Sequence, residues 1–469
     1  MKVAVIGGGV SGVRAALTLA RAGVQVSLFE KNQHLGGRVF SFRTPDFGEV
    51  DIGQHIWLRA CTAFEDLLHD LAVPDNWIFR QDRLAMTYRW PDGASRTLTA
   101  GRLPGRLSLL PILLGARLGL TDKLRVIWGT FRAGLYATQS LESLDKISFA
   151  DWLHAMGQSR AVIEWFWEPL IVGVCNGRLA EVSARYGLFT VRESLLKSGA
   201  ASAICFFRRP LSEVLDRHAR SILQDAGVQI LSGTMVNNLR PGSPIIVQSN
   251  HGEPQEFDKA ILALPLKRMR SLLPGPTLPA PAQEGAIAGL LLRFAVPVMD
   301  ELFFTAVGSP VQVVFNKSAI WNHSTPLPSD GVGAPSSSPL PSGGEGPGVR
   351  GQRLAPTDGT QVIELVISAA EREVKLGVDR VAAELLPALA KLLPRTATTP
   401  LLAKRLLVHA TATFRVAPGG EPNRLPMTQP NLANVYFAGD HAATGWPSTM
   451  ESAARAGLAA AHAILSGVA

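Results

Sequence analysis

The first thirty residues alternate between apolar runs and an amphipathic segment, a pattern that predicts a strand, a helix and a second strand. The strands are predicted over Lys2 to Ile6 (KVAVI) and Val24 to Phe29 (VQVSLF), and the helix over Val13 to Ala22. The strand pattern returns much later in the chain. It predicts four further short strands, at Val228 to Leu231, Val236 to Leu239, Ile245 to Gln248 and Asp258 to Ala263.

The last third of the chain follows a second pattern. Residues 285–320 alternate in the manner of strands, and Gln361 to Ser368 (QVIELVIS) predicts a partner for them. Between them, 324–359 is dense in Pro, Gly and Ser. It predicts a disordered insertion, because it has too little apolar surface to offset the entropy of ordering. The remaining predicted elements are two helices and two strands, at Val378 to Leu393, Pro447 to Leu465, Lys404 to Ala412 and Asn434 to Ala438.

These patterns predict two intimately packed domains, since a chain of 469 residues exceeds the size of one compact core. The first is a discontinuous α/β domain formed by 1–60, 215–270 and 400–469. The second spans 271–399 and combines a β-sheet with a helix. The residues between, 61–214, carry few strand signals and predict a largely helical region.

Composition and charge narrow the class of protein. Apolar residues make up 46% of the chain and charged residues 18%, which indicates a large core and above-average apolar exposure. Cys61, Cys175 and Cys205 are far apart, which fits neither a disulfide framework nor a zinc site but is compatible with a reducing cytosol. The net charge of +8 comes without a run of Lys or Arg, so it favours a basic surface facing anionic lipid over nucleic-acid binding.

The most apolar stretch runs from Leu103 to Trp128, and five charged residues interrupt it. This pattern predicts an amphipathic segment in a membrane interface rather than a transmembrane helix. The alternative is a helix pair that packs on the protein's own core. The N-terminal apolar run continues directly into the predicted fold, so we expect no signal peptide. We therefore expect a cytoplasmic protein, peripheral on the inner face of the cell membrane.

Three glycines, Gly7, Gly9 and Gly12, fall at the turn between the first strand and the helix. A G-x-G-x-x-G at such a turn lets the main chain approach a pyrophosphate, and the helix N-terminus offers free N–H groups to the anion. Glu30 ends the second strand, where a carboxylate accepts from ribose hydroxyls, and Lys31 follows it. These positions predict a dinucleotide site.

Further motifs favour a flavin over a nicotinamide. Arg38 follows Gly37 and lies eight positions after Glu30, and Gly53, Gln54 and His55 lie in a turn of the sequence DIGQH. The spacing resembles that of the amine-oxidase and carotenoid-desaturase flavoprotein superfamily. The resemblance implies a Rossmann-like FAD-binding domain, with the arginine on the pyrophosphate and the DIGQH turn beneath the flavin.

The second half of the chain carries matching motifs. Val236 lies in a G-x-x-V segment, and Gly439 and Asp440 end a strand. In the superfamily the valine covers the adenine and the aspartate binds the ribityl chain. Met450 lies in the sequence TGWPSTMESAARAG, which brings a helix N-terminus towards the flavin ring. No second G-x-G-x-x-G follows a strand, so we expect electrons from an external reductant, a partner protein or the substrate itself.

Three longer stretches resemble one branch of the superfamily, the squalene-associated FAD-dependent desaturases, which act as hydroxysqualene dehydroxylases. They are GQHIWLR with CTA from Gly53, CNGR with AEVSARY from Cys175, and GD with TGWPSTME from Gly439. The resemblance implies reductive removal of an allylic hydroxyl from a long isoprenoid, hydroxysqualene, with a mixed-sheet substrate domain and a helical membrane-facing insert. Some members carry a Trp after the GD pair, where this chain has His441.

The sequence leaves the catalytic acid open. His55 has a suitable pKa for proton transfer but fits equally a residue that bonds flavin or backbone. Glu451 fits a buried acid or a helix cap, and His441 a donor beside the GD turn or a structural residue. Tyr186 and Glu168 are weaker candidates. The Trp152, Trp165 and Trp167 set is expected to be core or tunnel wall.

Three other functions remain open at this point. A carotenoid-type desaturase or isomerase would oxidise a polyprenoid instead of reducing it. An amine oxidase needs an aromatic cage beside the flavin, which four tyrosines in the chain make less favourable. A non-catalytic flavin-bound scaffold is a different class again. No metal is expected to take part.

Overall fold

The computed structural model describes residues 1–103, 105–273, 278–279, 283–321, 359–428 and 432–467. Apart from Gly359, the predicted insertion 324–359 lies outside the described residues.

The described residues form twenty strands, whose lengths range from three residues to fourteen. In chain order they are β1 (Lys2–Ile6), β2 (Gln25–Glu30), β3 (Ser41–Thr44), β4 (Gly48–Asp51), β5 (Ile56–Leu58), β6 (Ile78–Arg80), β7 (Ala85–Arg89), β8 (Ser95–Thr99), β9 (Ile204–Phe207), β10 (Gln229–Ser232), β11 (Val236–Arg240), β12 (Ile245–Ser249), β13 (Gln255–Phe257), β14 (Lys259–Leu262), β15 (Glu284–Phe294), β16 (Phe303–Ala306), β17 (Val313–Asn316), β18 (Gln361–Ser368), β19 (Leu401–Phe414) and β20 (Val435–Phe437).

Fifteen α-helices accompany them in the described part of the chain. They are α1 (Val10–Arg21), α2 (Thr62–Asp70), α3 (Leu110–Gly115), α4 (Leu120–Gly134), α5 (Leu141–Asp145), α6 (Phe149–Ala155), α7 (Arg160–Val162), α8 (Glu168–Cys175), α9 (Ala184–Val191), α10 (Ala219–Asp225), α11 (Leu266–Leu272), α12 (Lys317–Trp321), α13 (Val378–Leu392), α14 (Arg395–Thr398) and α15 (Met450–Leu465). Short π-helical segments join or extend several of them, at Ile163–Trp167, Arg192–Leu196 and Glu213–His218.

A five-stranded parallel sheet, in the order β10-β2-β1-β14-β20, forms the nucleotide side of the molecule. The central strand is a continuous apolar run, as a parallel strand covered on both faces requires, and Val3 and Val5 have no exposed surface. Helices α1 and α15 cross closely on one face, because a Cβ on Gly457 would overlap the carbonyl oxygen of Ser11. The predicted α/β arrangement is confirmed.

A second, seven-stranded sheet has the order β19-β15-β18-β17-β16-β7-β8 and is mixed, since β16 pairs with β7 in parallel and the other pairs are antiparallel. Its apolar face packs with α13 into a separate core. The structure differs from the predicted boundaries here. Strands β7 and β8 come from 61–214, where β7 pairs with β16 and β8 with β7, and β19 comes from 400–414 and pairs with β15.

Two elements have bounds that differ from the predicted ones, a strand at its end and a helix at its beginning. The β pattern expected to reach residue 320 stops at Asn316, and Lys317 begins the short helix α12. The C-terminal helix begins at Met450 instead of Pro447, because the Thr449 side chain caps it by accepting from Ser452 N at 3.2 Å. The helices between 110 and 191 pack around their own aromatic core, which includes Trp152 and Trp167.

Candidate active site and nucleotide cradle

A single cavity of about 1530 Å³ runs between the two sheets and reaches into the helical region. It exceeds the roughly 300–1,000 Å³ typical of a site for one drug-sized ligand, so it has room for a cofactor and a substrate together. Thirteen of the fourteen residues predicted to bind the cofactor line it: Gly7, Gly9, Glu30, Lys31, Gly37, Arg38, Gly53, Gln54, His55, Val236, Gly439, Asp440 and Met450.

The fourteenth, Gly12, lies beneath the turn. A Cβ on Gly12 would overlap the carbonyl oxygen of Gly7, so this glycine lets α1 pack against the turn. Gly7 itself has a φ of +109°, a conformation that side chains resist. Helix α1 has no side-chain cap and no acidic residue in its first turn. Its N-terminal N–H groups are therefore available to an anion.

The two glycine turns of the cradle are joined to each other. Gly9 and Gly36 form a β-bridge, and Gly36 N donates to Gly8 O at 2.8 Å. Glu30 braces the same place, because its carboxylate accepts from Gly8 N and from Asn32 N, each at 2.8 Å. Glu30 therefore shapes the cradle and keeps free lone pairs for a ligand hydroxyl.

Arg38 and Asp440, 402 residues apart, are in direct contact as an ion pair. Asp440 also accepts from Ser448 Oγ, and Arg38 donates to Ala412 O at 3.0 Å. Burial on its own would raise the pKa of Asp440, but Arg38 and His441 outweigh it and hold that pKa well below its usual range. The site thus offers a fixed anion and a fixed cation side by side.

Arg424 holds the loop that carries Asp440. Its buried guanidinium donates to the main-chain carbonyls of Asp440 and His441, each at 3.2 Å, and of Trp446 at 2.9 Å. It also donates to the carbonyl of Ala442. It also donates to Tyr186 Oη at 2.7 Å. This cation links two of the three branch-specific stretches, those that contain Tyr186 and Asp440.

His55 is placed at the cavity with one nitrogen committed. Its Nδ1 lies 2.9 Å from Gly53 O, and because a carbonyl only accepts, Nδ1 carries the proton and donates. Burial lowers the pKa of His55, with Lys317 and Arg38 acting in the same direction. Its Nε2 is therefore the nitrogen that takes up a proton as the pH falls.

A second histidine of the cavity, His409, lies on β19 and was not among the predicted site residues. Burial, Arg38 and His55 together lower its pKa to about 4. The local sequence around His409 contains no motif, and only the pairing of β19 with β15 places it opposite Ile287 at the cavity.

His441 and Glu451 also line the cavity, in different surroundings. His441 Nδ1 lies 3.7 Å from Asp440 Oδ1, and its Nε2 is buried without a hydrogen-bond partner in the described residues. The Glu451 carboxylate accepts from Ala63 N at 3.2 Å, Phe64 N at 2.8 Å and Arg455 Nε at 2.6 Å. Glu451 therefore caps α2 from the neighbouring helix α15, and burial raises the pKa of this carboxyl.

The part of the cavity away from the glycines is apolar. Its wall is formed by side chains from both the seven-stranded sheet and the helical region, among them Leu84, Met86, Leu109, Ile112, Phe166, Leu170, Phe303 and Phe315. Tyr186 and Glu168 also line the cavity. Burial raises the pKa of Glu168, whereas Tyr186 is held by Glu421 and Arg424. The three tryptophans are core residues and do not line it.

Comparison with known proteins agrees with this geometry. The family model for flavin-containing amine oxidoreductases matches residues 10–465. The chain belongs to this family. Its members and structural relatives support FAD as cofactor, so the protein is a FAD-dependent oxidoreductase.

Similar sequences include dehydroxylases and desaturases. The chain is 27% identical to hydroxysqualene dehydroxylase of Rhodopseudomonas palustris, over 99% of this chain and 98% of that protein. It is 27% identical to a probable zeta-carotene desaturase of Synechococcus elongatus, over 49% of each chain. Putrescine oxidase has the same fold, with a TM-score of 0.69, 16% identity and 99% coverage of both chains.

The residues of this oxidoreductase fit an adenine dinucleotide of flavin. The glycine cradle has no room for a Cβ at Gly7, and the uncapped α1 faces it. The unpartnered Nε2 of His441 and the Arg38–Asp440 pair add polar groups that a ligand with a pyrophosphate and hydroxyls satisfies. Val236 lines the same cavity, and its carbonyl oxygen already accepts from Arg268 at 2.8 Å.

Proposed function

We propose that this oxidoreductase reduces hydroxysqualene to squalene. The observation that carries the proposal is one continuous cavity of about 1530 Å³, which is lined by the nucleotide cradle and by apolar side chains suited to an isoprenoid chain. The full-length similarity to hydroxysqualene dehydroxylases supports the choice of substrate.

The proposed reaction breaks the bond between an allylic carbon and its hydroxyl oxygen. The hydroxyl takes a proton and leaves as water, and the carbon takes a hydride. Reduced FAD supplies the hydride when bound and is oxidised by two electrons. One hydroxysqualene and one reduced FAD therefore give squalene, water and oxidised FAD.

The chain's own residues would exclude water and deliver the proton. The apolar wall keeps bulk water away from a carbon that has lost its hydroxyl, because water would recapture it. Two of the predicted acids, His55 and His441, line the cavity with a ring nitrogen outside the described hydrogen bonds, and we propose His55 as the donor because its Nδ1 is held by Gly53 O. Since its pKa is lowered, the cationic donor form is favoured at acidic pH.

The direction of electron flow tests the proposal. Enzyme whose FAD has been reduced without oxygen is mixed with hydroxysqualene, and the flavin absorbance is followed while the lipid is extracted. Reoxidation together with formation of squalene is expected. Flavin that stays reduced with intact hydroxysqualene would contradict the assignment.

Oxidation of a polyprenoid is the second candidate, favoured by the similarity to zeta-carotene desaturases, which covers 49% of the chain in one relative and 99% in another. Under that function oxidised enzyme would be reduced by a carotenoid precursor, and reduced enzyme would not respond to hydroxysqualene. An amine oxidase would form peroxide with amines. Tyr88 and Tyr186 are the tyrosines that line the cavity among the described residues, and Tyr186 is held by Glu421 and Arg424.

We also propose that an anionic bilayer, on the inner face of the cell membrane, is the partner of the helical region. Helix α4 exposes an apolar stripe that includes Leu120, Leu124 and Trp128, and α3 exposes Leu114 at 65% of its surface. The segment 102–132 contains six Lys and Arg against one carboxylate. No helix in the described part of the chain is long and apolar enough to cross a bilayer.

The position of this stripe supports uptake of a lipid from the membrane. On α3 and the turn before it, Leu109 and Ile112 line the cavity while Leu114 faces outwards. Arg160, also at the cavity, follows Ser159, whose Oγ donates to Asp122 of α4 at 2.8 Å. One side of the insert thus meets solvent and the other meets the chamber.

We propose domain boundaries that keep the strands of each sheet within one domain. The FAD-binding domain would combine 1–60, 215–270 and 415–469, and the substrate domain would include β7, β8 and β19. The helical region would lie between them in the chain and cover the apolar end of the cavity.

A further inference from the structure

Three buried charged side chains lie together behind the DIGQH turn. Lys317 comes from α12, Glu364 from β18 and Asp51 from the end of β4, and each is at most 6% exposed. None of the three lines the main cavity, whereas Gln54 and His55 do. They surround a separate space of about 20 Å³, the size of one water molecule.

Lys317 is the centre of this cluster. Its Nζ lies 2.7 Å from Gln54 Oε1, 3.3 Å from Asp51 Oδ2 and 3.8 Å from Glu364 Oε2. It also lies 4.4 Å from the centre of the Trp321 ring. A buried ammonium is costly unless it is paired, so the arrangement must offset that cost with these contacts.

Glu364 contacts Gln54, the residue that also accepts from Lys317, from another side. It accepts from the main-chain N of Gln54 at 3.3 Å. Gly289 on the neighbouring strand leaves room for the carboxylate, because a Cβ there would lie 2.5 Å from Glu364 Oε1. Burial raises the pKa of Glu364 and Lys317 opposes that rise.

Gln54 is therefore fixed at two points, its main-chain N–H by Glu364 and its side-chain oxygen by Lys317. This fixes the orientation of the amide, whose Nε2 donates to His55 O at 3.3 Å. The position of Asp51 is fixed independently of Lys317, because its Oδ1 accepts from Ser41 Oγ at 2.7 Å and from Leu211 N at 3.0 Å.

We propose that Lys317 and Glu364 are positioning residues, which hold the turn of Gln54 and His55 at the reacting end of the cavity. Glu364 lies on β18 of the seven-stranded sheet and Lys317 on the adjoining helix α12, whereas the turn of Gln54 and His55 belongs to the predicted FAD-binding domain. The cluster therefore connects the cofactor site to the substrate site. The proposal rests on the proposed function only because it assumes that the reaction takes place in the main cavity. It does not depend on the identity of the substrate.

The test compares Lys317→Met with the double variant Lys317→Met/Glu364→Gln, in FAD-loaded protein. Three quantities are measured: melting temperature, visible circular dichroism of the bound flavin, and turnover of hydroxysqualene per bound flavin. The single variant leaves two buried carboxylates without their cation, so it should melt lower, change the flavin signal and lose about 10- to 100-fold in turnover, the scale expected for misplaced groups.

The double variant separates positioning from stability. It removes one of the unpaired charges, so the melting temperature should recover while the flavin signal and the low turnover persist. Recovery of all three would show a merely structural cluster and overturn the proposal, as would a wild-type signal and turnover in Lys317→Met. Lys146→Met, which removes an exposed lysine paired with Glu142, is the matched control and should change nothing.

A third variant keeps the proposal testable if the lysine variants do not fold. Gln54→Leu leaves all three buried charges in place and removes the side chain that they hold. It should reproduce the change in flavin circular dichroism, and an unchanged signal would overturn the proposal. These spectra need no substrate, so wild-type protein that fails to convert hydroxysqualene would refute the proposed function and leave this inference intact.

Discussion

The substitution Glu451→Gln separates the two roles that the sequence allows for this residue. Glu451 is 1% exposed and accepts three hydrogen bonds, two of them from the first N–H groups of α2. If this carboxylate caps a helix, its loss lowers stability and leaves turnover per bound flavin nearly unchanged. If it donates a proton to substrate, turnover falls instead.

The magnitude follows from the contacts. Glutamine keeps one oxygen and replaces the other with NH₂, so either Ala63 N or Phe64 N faces a donor. A hydrogen bond to a charged group contributes about 1.5–3 kcal/mol. The pair with Arg455, whose side chain is 38% exposed, adds less than about 1 kcal/mol. Together these give about 2–4 kcal/mol, or a melting temperature lower by roughly 2–8 °C for a chain of this length.

Thermal unfolding of the FAD-loaded protein, followed by tryptophan fluorescence, measures this shift, and the extracted lipid gives the turnover. Glu142→Gln is the matched control, because Glu142 also pairs with a cation four residues later, Lys146 at 2.6 Å, but is 80% exposed. It should melt as wild type does. An unchanged melting temperature in Glu451→Gln with turnover lost by a hundredfold or more would refute the capping argument.

Four more outcomes are expected. Arg38→Lys, which cannot make a bidentate contact, should lower the molar ratio of bound FAD, measured by absorbance. His55→Ala should keep FAD but lower turnover by about 10²–10⁴-fold, and wild-type turnover should rise as pH falls towards the lowered His55 pKa. Because folding lowers the pKa of His409 to about 4, the unfolded chain binds more protons than the folded chain between pH 6.5 and 4. The free energy of unfolding should therefore decrease as the pH is lowered through that window, and it should decrease less in His409→Gln. Trp128→Glu should weaken sedimentation with phosphatidylglycerol vesicles, whereas Leu402→Glu, at an exposed site outside the helical region, should not.

The nucleotide side of the fold was predictable because its signals are local. The strand over Lys2–Ile6 and the glycine turn after it are set by neighbouring residues, and the structure confirms that strand. The strand Gln361–Ser368 was likewise predicted to the residue. The helix boundaries differ by a few residues, as at Met450, because a cap depends on side-chain geometry that periodicity does not contain.

The rest of the site depends on contacts between distant segments. Lys317 falls within the β pattern predicted for 285–320, and nothing in the neighbouring sequence indicates the three oxygens that surround it in the fold. His409 faces the cavity through the register of β19. Glu451 illustrates the opposite case, since its position in the helix was predicted but its partners, Ala63 and Phe64, lie nearly 390 residues earlier.

The order of strands in the parallel sheet has a consequence for biosynthesis. The innermost strand, β1, is translated first, yet its neighbour β14 ends at Leu262 and the edge strand β20 at Phe437. A ribosome that has finished the glycine turns must therefore add about nine-tenths of the polypeptide before Asp440 emerges to meet Arg38. A flavin site that needs both Arg38 and Asp440 is therefore completed only when nearly all of this sequence has been made, and until β14 follows, β1 has β2 on one side and no strand on the other.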